Sequence, residues 1–202
     1  LPTIKHYVQH LYKSFHLHGI HSPFVFQFQK KCLRDAYRYQ DYLKLSRFRE
    51  SILNNNTLLH IEDHGAGSKI FKSPTRSTSD ILRHNSSNQT TAELFYRIAK
   101  YFEAERILEF GTSLGVATHA FATARPGAFI ETVEGSPEVA NYSRTRFEEN
   151  GLKNVRVIST TFQEFIENKR SQNEDCTYDL IYMDGHHDGS ATVSYFEQLL
   201  DV

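Results

Sequence analysis

The sequence predicts an α/β fold: a doubly wound, mostly parallel sheet preceded by an N-terminal helical arm. Three observations carry this. From residue 91 onward, strand and helix patterns alternate strictly, which implies right-handed crossovers and helices on both faces of a parallel sheet. The first strand of that series runs into a turn marked by Gly111 and Gly115. The first 50 residues are different in kind, with nine Lys and Arg against three Asp and Glu, although the whole chain carries a formal charge of -1.

Taken in order, residues 3–17 and 24–53 read as helices separated by His18-Gly19-Ile20-His21-Ser22-Pro23, where Ser22 precedes a proline suited to a first helical turn. Together they make an arm over residues 1–60. Its aromatic rings, among them Phe24, Phe26, Phe28, Tyr37, Tyr39 and Tyr42, recur at helical spacing and fit packing against the rest of the chain. Interleaved with Lys and Arg, such rings can also stack on bases and grip phosphates, the less favoured of the two readings. Residues 61–90 are rich in Gly, Ser, Thr and Asn and predict a flexible loop or lid, with plain disorder as the equal alternative. The domain proper then spans 91–202. Its strands are expected at Arg106–Phe110, Phe129–Val133, Val155–Ile158 and Tyr178–Met183. Its helices are expected at Thr91–Phe102, Gly115–Ala124, Pro137–Asn150, Phe162–Lys169 and Ala191–Leu200.

Composition excludes several classes. With 202 residues, 39% hydrophobic and 23% charged, the chain can bury a core and is no disordered tail. The near-zero net charge argues against a chain-wide polybasic binder of nucleic acid or membrane. No apolar run approaches the roughly 20 residues of a membrane span, and the start at Leu1 does not resemble a signal peptide. Cys32 and Cys176 match no metal or redox spacing, so a reducing, cytoplasmic setting is expected.

In open parallel sheets, ligands bind beyond the carboxyl ends of the strands. The first strand ends in Glu109-Phe110-Gly111-Thr112-Ser113-Leu114-Gly115, where glycines let the backbone approach a ligand and the next helix offers free N–H groups. Glu134, 23 residues after Gly111 at the end of the second strand, stands where an acidic side chain accepts hydrogen bonds from both ribose hydroxyls. A carboxylate capping the helix at Pro137 is the other reading of Glu134. The spacing G-x-x-x-G, with Ser113 in the middle, lacks the pyrophosphate cradle of a dinucleotide site. A cofactor without phosphates fits better; Glu109 either orients the loop or faces a cationic ligand, and the latter suits the sulfonium and amino-acid end of S-adenosylmethionine.

The segments ILEFGTSLGVAT, ETVEGSP, NVRVISTTFQEF and YDLIYMDGHH, in this order, resemble the class I S-adenosylmethionine-dependent methyltransferases, and more closely their catechol O-methyltransferase-like, DGxH branch. The N-terminal GIHSPFVF is similar to the arm of a group of bacterial methyltransferases. The resemblance implies a Rossmann-like sheet. It implies that Gly111, Thr112, Ser113 and Gly115 line the methionine part of the cofactor with Glu109 beneath, and that Glu134 holds the ribose. Gly135 and Ser136 would then flank the adenine, with Thr161, Phe162 and Gln163 contacting its ring and amino group. Asp184 falls where the family places a residue near the methyl group and, in some members, a ligand for Mg2+. His187 stands where the catechol branch has a lysine acting as general base. The family also continues with about three more strands after the helix at 191–200, so the last strands of the sheet are expected to be missing and the sequence to be C-terminally incomplete.

These assignments are chemically coherent. Methyl transfer is an in-line displacement, so positioning supplies much of the rate. A hydroxyl nucleophile gains from losing its proton, and His187 titrates in the right range to accept it; Mg2+ would do the same by coordination. Asp184 also reads as a strand-end carboxylate capping the next helix, and His186 as an exposed loop histidine. The expected function is O-methylation of a small molecule, with a homo-oligomer left open. Two alternatives stand beside it. One is a nucleic-acid methyltransferase gripping its substrate through Lys30, Lys31 and Arg34, disfavoured by DGHH where an N-P-P-Y-type motif would be needed. The other is a non-catalytic binding module retaining the fold.

Overall fold

The structure is a computed structural model that describes residues 2–13, 19–61, 74–84, 86–171, 177–185 and 188–200. The chain divides into two compact units, one ending at Tyr37 and one beginning at Arg38.

The first unit holds α1 (Pro2–Lys13) and α2 (Pro23–Phe28), which passes into a wide π turn over Gln29–Leu33. Ser22 caps α2, its hydroxyl accepting the Val25 N–H at 3.3 Å. The single helix expected over 24–53 is therefore two. The Asp35 carboxylate accepts the Tyr37 N–H at 2.9 Å, a local turn that competes with helix continuation.

The second unit begins with α3 (Tyr42–Asn54), whose Tyr42, Leu45, Phe48 and Ile52 recur at helical spacing and are all buried. This stretch of the expected arm thus belongs to the main core, and the boundary between units falls at 37/38 rather than near 60. Part of the 61–90 segment is regular as well. Strand β1 (Leu58–His60) pairs antiparallel with β2 (Thr75–Ser77), and α4 (Thr78–His84) follows directly. The polar composition that suggests a loop is consumed in local bonds. Ser77 donates to Asp80 at 2.7 Å and accepts its N–H at 3.1 Å, while Ser79 donates to Asn56 at 2.9 Å. Residues 62–73 of that segment lie outside the described residues.

The sheet-and-helix series follows as expected: α5 (Gln89–Tyr101), β3 (Arg106–Phe110), α6 (Val116–Ala124), β4 (Phe129–Glu134), α7 (Pro137–Glu149), β5 (Val155–Ser159), α8 (Phe162–Ser171), β6 (Leu180–Met183) and α9 (Gly189–Leu199). The four strands β3–β6 form one parallel sheet in the order β5-β4-β3-β6. The chain winds outward from β3 through β4 to β5, then crosses back to lay β6 against the other side of β3. The strand order therefore reverses between β3 and β6, the position where open α/β sheets form a ligand crevice. Ile107 and Ile130 belong to a core shared with α3, α5, α6 and α7. Leu108, Phe110 and Val133 pack on the other face with Phe165 and Ile166 of α8 and Leu199 of α9. Both faces are thus covered, as a Rossmann-like α/β fold requires. No helix among the described residues is long and apolar enough to cross a membrane.

Candidate functional site

The carboxyl ends of β3, β4 and β6 converge at the switch point. Gly111 turns the chain out of β3 with φ +98°, and a Cβ there would come 2.8 Å from the Asp184 carbonyl oxygen. Only glycine allows both that dihedral and that approach. The Asp184 N–H donates to the Phe110 carbonyl at 2.9 Å, so the ends of β3 and β6 are tied directly together.

Glu134, at the end of β4, reaches across to the β3–α6 loop. Its carboxylate accepts the Ser113 N–H at 2.9 Å and the Ser136 N–H at 3.0 Å, joining the two loops that the sequence marks for ligand contact. Ser113 takes φ +48°, and its carbonyl accepts the Ser143 hydroxyl at 2.5 Å. Gly115 follows at φ +77°, with the Phe147 ring where a Cβ would stand.

Beneath this loop lies Glu109, 1% exposed. Its carboxylate accepts the Thr132 hydroxyl at 2.7 Å and also the Thr118 hydroxyl, and Thr132 is linked in turn to Thr112 at 2.6 Å. Burial pushes the Glu109 carboxyl up to about 8; the two threonine hydroxyls oppose this, and the charges of Asp184 and Glu134 add to it. Three carboxyl groups facing one loop make a site that gains from a cationic ligand.

Asp184 is exposed and accepts the Tyr182 hydroxyl at 2.8 Å. The cap of α9 is Asp188, which accepts the Ala191 N–H at 3.0 Å, so Asp184 is not spent on capping the next helix. Gly135 is half-buried and Ser136 buried beside Glu134. Thr161 opens α8, where its hydroxyl accepts the Glu164 N–H at 3.3 Å. The Phe162 ring stacks on Phe110 at 4.6 Å and fills the space a Cβ on Gly185 would need. Gln163 turns toward α9 and bonds Gln198 at 3.4 Å. The structure thus gathers Glu109, Gly111, Thr112, Ser113, Gly115, Glu134, Ser136 and Asp184, whereas Gln163 is directed to a helix contact. His186 and His187 lie outside the described residues. Among the described residues, no group of three His, Cys, Asp or Glu side chains is placed to hold a metal ion.

Two partners escape a reading of motifs. Tyr182 shares a strand face with Asp184 because strand side chains alternate with period two, a signal present in the sequence. Thr132 reaches Glu109 because the two are paired across β3 and β4, which only the register reveals.

Residues 108–202 match a family model described as a methyltransferase domain. That match covers just under half of the chain. Solved structures share the methyltransferase fold at low identity. A methyltransferase from Podospora anserina with S-adenosylhomocysteine bound aligns with a TM-score of 0.57 and 20% identity over 93% of this chain and 67% of its own. An O-methyltransferase from Bacillus cereus, also with S-adenosylhomocysteine, gives 0.56 and 18% over 86% and 66%. The Streptomyces achromogenes O-methyltransferase of tomaymycin synthesis, with S-adenosylmethionine, gives 0.55 and 16% over 87% and 69%. The chain spans about two thirds of the length of these structures. No curated protein matches the sequence.

Proposed function

We propose that the methyltransferase domain binds S-adenosylmethionine across the ends of β3, β4 and β6 and methylates a hydroxyl group of a small molecule. The observation that carries this reading is the Glu134 carboxylate bridging the two ligand-facing loops above the buried Glu109. An anionic, phosphate-free pocket of that kind suits a nucleoside carrying positive charge, and no G-x-G-x-x-G cradle competes for a pyrophosphate.

The cofactor, when bound, supplies an electrophilic methyl group on a sulfonium. The chain's own groups do the remainder. Glu134 accepts hydrogen bonds from ribose hydroxyls while its backbone partners keep the carboxylate fixed. The Gly111 turn admits the ligand close to the backbone, and Glu109, protonated below about 8, ionises in favour of a cationic ligand above it. Asp184, held at one oxygen by Tyr182, stands at the strand end beside that turn. His187, three residues further on, accepts the proton of the substrate hydroxyl. Mg2+ favours several oxygen ligands, and Asp184 would be one of them.

Calorimetric titration with S-adenosylhomocysteine tests the reading. The unaltered protein should bind, and Glu134→Gln should weaken binding about tenfold or more, because a charge-assisted bond to a ribose hydroxyl contributes about 1.5–3 kcal/mol. Absence of binding by the unaltered protein, or equal binding by a folded Glu134→Gln variant, would overturn it.

A further inference from the structure

A second cleft lies at the other end of the sheet. It is walled by α3, by the carboxyl-terminal half of α6, and by the Asn150–Asn154 turn leading into β5, and it encloses about 510 Å³. The Ile130 N–H donates to the Asn154 carbonyl at 2.9 Å and the Asn154 amide donates to the Ala128 carbonyl at 2.9 Å. These bonds fix the turn at the amino-terminal ends of β4 and β5, remote from the carboxyl ends that carry Glu134 and Asp184.

The lining of this cleft is one-sided in charge. Lys44, Arg47 and Lys153 contribute to it, and no Asp or Glu does. Lys44 has a neighbouring counter-charge in Asp41 at 2.7 Å. Arg47 and Lys153 form no ion pair among the described residues, and both are exposed. They come from positions 106 residues apart in the chain, so the fold, not sequence proximity, brings them to one concavity. Ala122, Thr123, Pro126 and Leu152 share the lining with them. His119 also lines the cleft, its ring stacked on Phe48 at 4.2 Å. Burial holds its imidazole neutral, pushed down to about 4 with Lys44 assisting, so it enters as a hydrogen-bonding group rather than a fourth charge.

Three cations and three apolar side chains on one lining match a ligand with one anionic and one apolar part. The enclosed volume falls in the range of small-molecule sites. A nucleic-acid backbone would instead call for cations strung along a groove. We propose that this cleft binds a phosphorylated small molecule of nucleotide size, its phosphates held by Lys44, Arg47 and Lys153 and its apolar part against Ala122, Pro126 and Leu152.

The experiment is calorimetric titration of the whole chain with ADP and, separately, with inorganic pyrophosphate, each in the presence of excess S-adenosylhomocysteine. ADP is expected to bind and pyrophosphate to bind more weakly. The exposed double substitution Arg47→Ala with Lys153→Ala should reduce ADP affinity about 100-fold, roughly tenfold for each charge-assisted hydrogen bond removed. Its thermal midpoint should match that of the unaltered protein, and the charge-conserving Arg47→Lys should retain pyrophosphate binding. Proton resonances of the His119 ring should shift on ADP addition. Failure of both probes to bind, equal ADP affinity in the double variant, or binding confined to single-stranded RNA would each overturn the proposal. None of these outcomes depends on methyl transfer, so the two readings fail separately.

Discussion

Replacing the buried Glu109 by glutamine removes an ionisable group while keeping an oxygen for the Thr118 and Thr132 hydroxyls. Burial raises this carboxyl from 4.5 in the unfolded chain to about 8 in the folded protein. Between those values the native state holds a proton that the unfolded state releases. Stability from this group is therefore fully present below about 4.5 and is lost as pH rises toward 8. Each pH unit inside the window costs about 1.4 kcal/mol. Integrated from pH 5 to pH 7, the loss is about 2–3 kcal/mol. Glu109→Gln does not titrate and escapes it, so its stability relative to the unaltered protein should improve by about 2–3 kcal/mol over that range. Urea unfolding of both proteins at the two pH values measures this, and every other titrating group cancels in the comparison. A stability difference that stays constant within about 0.5 kcal/mol would refute the reasoning. The same proton couples to the site, because a cationic ligand above the loop favours the ionised carboxylate. Affinity for S-adenosylhomocysteine should accordingly rise with pH near neutrality in the unaltered protein and stay flat in Glu109→Gln.

Two further perturbations probe the same architecture. His119→Phe should act with the opposite sign: the buried imidazole is pushed from 6.5 down to about 4, so its contribution is present above 6.5 and is lost as pH falls toward 4. From pH 7 to pH 5 the unaltered protein should lose about 2 kcal/mol more than the variant, read by urea unfolding, and parallel losses would contradict the burial argument. Gly111→Ala forces a Cβ to within 2.8 Å of the Asp184 carbonyl at φ +98°, and should cost about 2–4 kcal/mol in unfolding free energy together with most cofactor affinity. An unaltered thermal midpoint would show that the ends of β3 and β6 are not held in contact.

Much of the sheet was legible because its signal is local. β3 and β6 are short, mostly apolar runs, β4 and β5 mix apolar with polar residues over equally short spans, and the helices between them carry their own periodicity, so the alternation over 91–200 survives translation into structure within a few residues. The glycines at 111 and 115 and the acid at 134 announce a ligand edge for the same reason: each does its work within one turn. Composition misleads where polar residues bond to one another rather than to water. The Ser and Thr of residues 75–80 look like loop in one dimension and prove to be a strand and a capped helix. Helical period likewise carried the reading of 24–53 straight through Arg34–Asp41, because periodicity does not register the turn made by Asp35.

By itself, then, the sequence determined the alternating α/β class, the positions of the four parallel strands and the residues at their carboxyl ends. Tertiary structure decided what depends on neighbours distant in the chain. It paired Glu109 with Thr132 through strand register, took α3 into the core beside α6, and brought Arg47 and Lys153 to one cleft. The physical reason is range. Backbone propensity, turn chemistry and hydrophobic period act over a few residues, whereas burial, which sets the charge state of Glu109 and His119, exists only after the layers have closed.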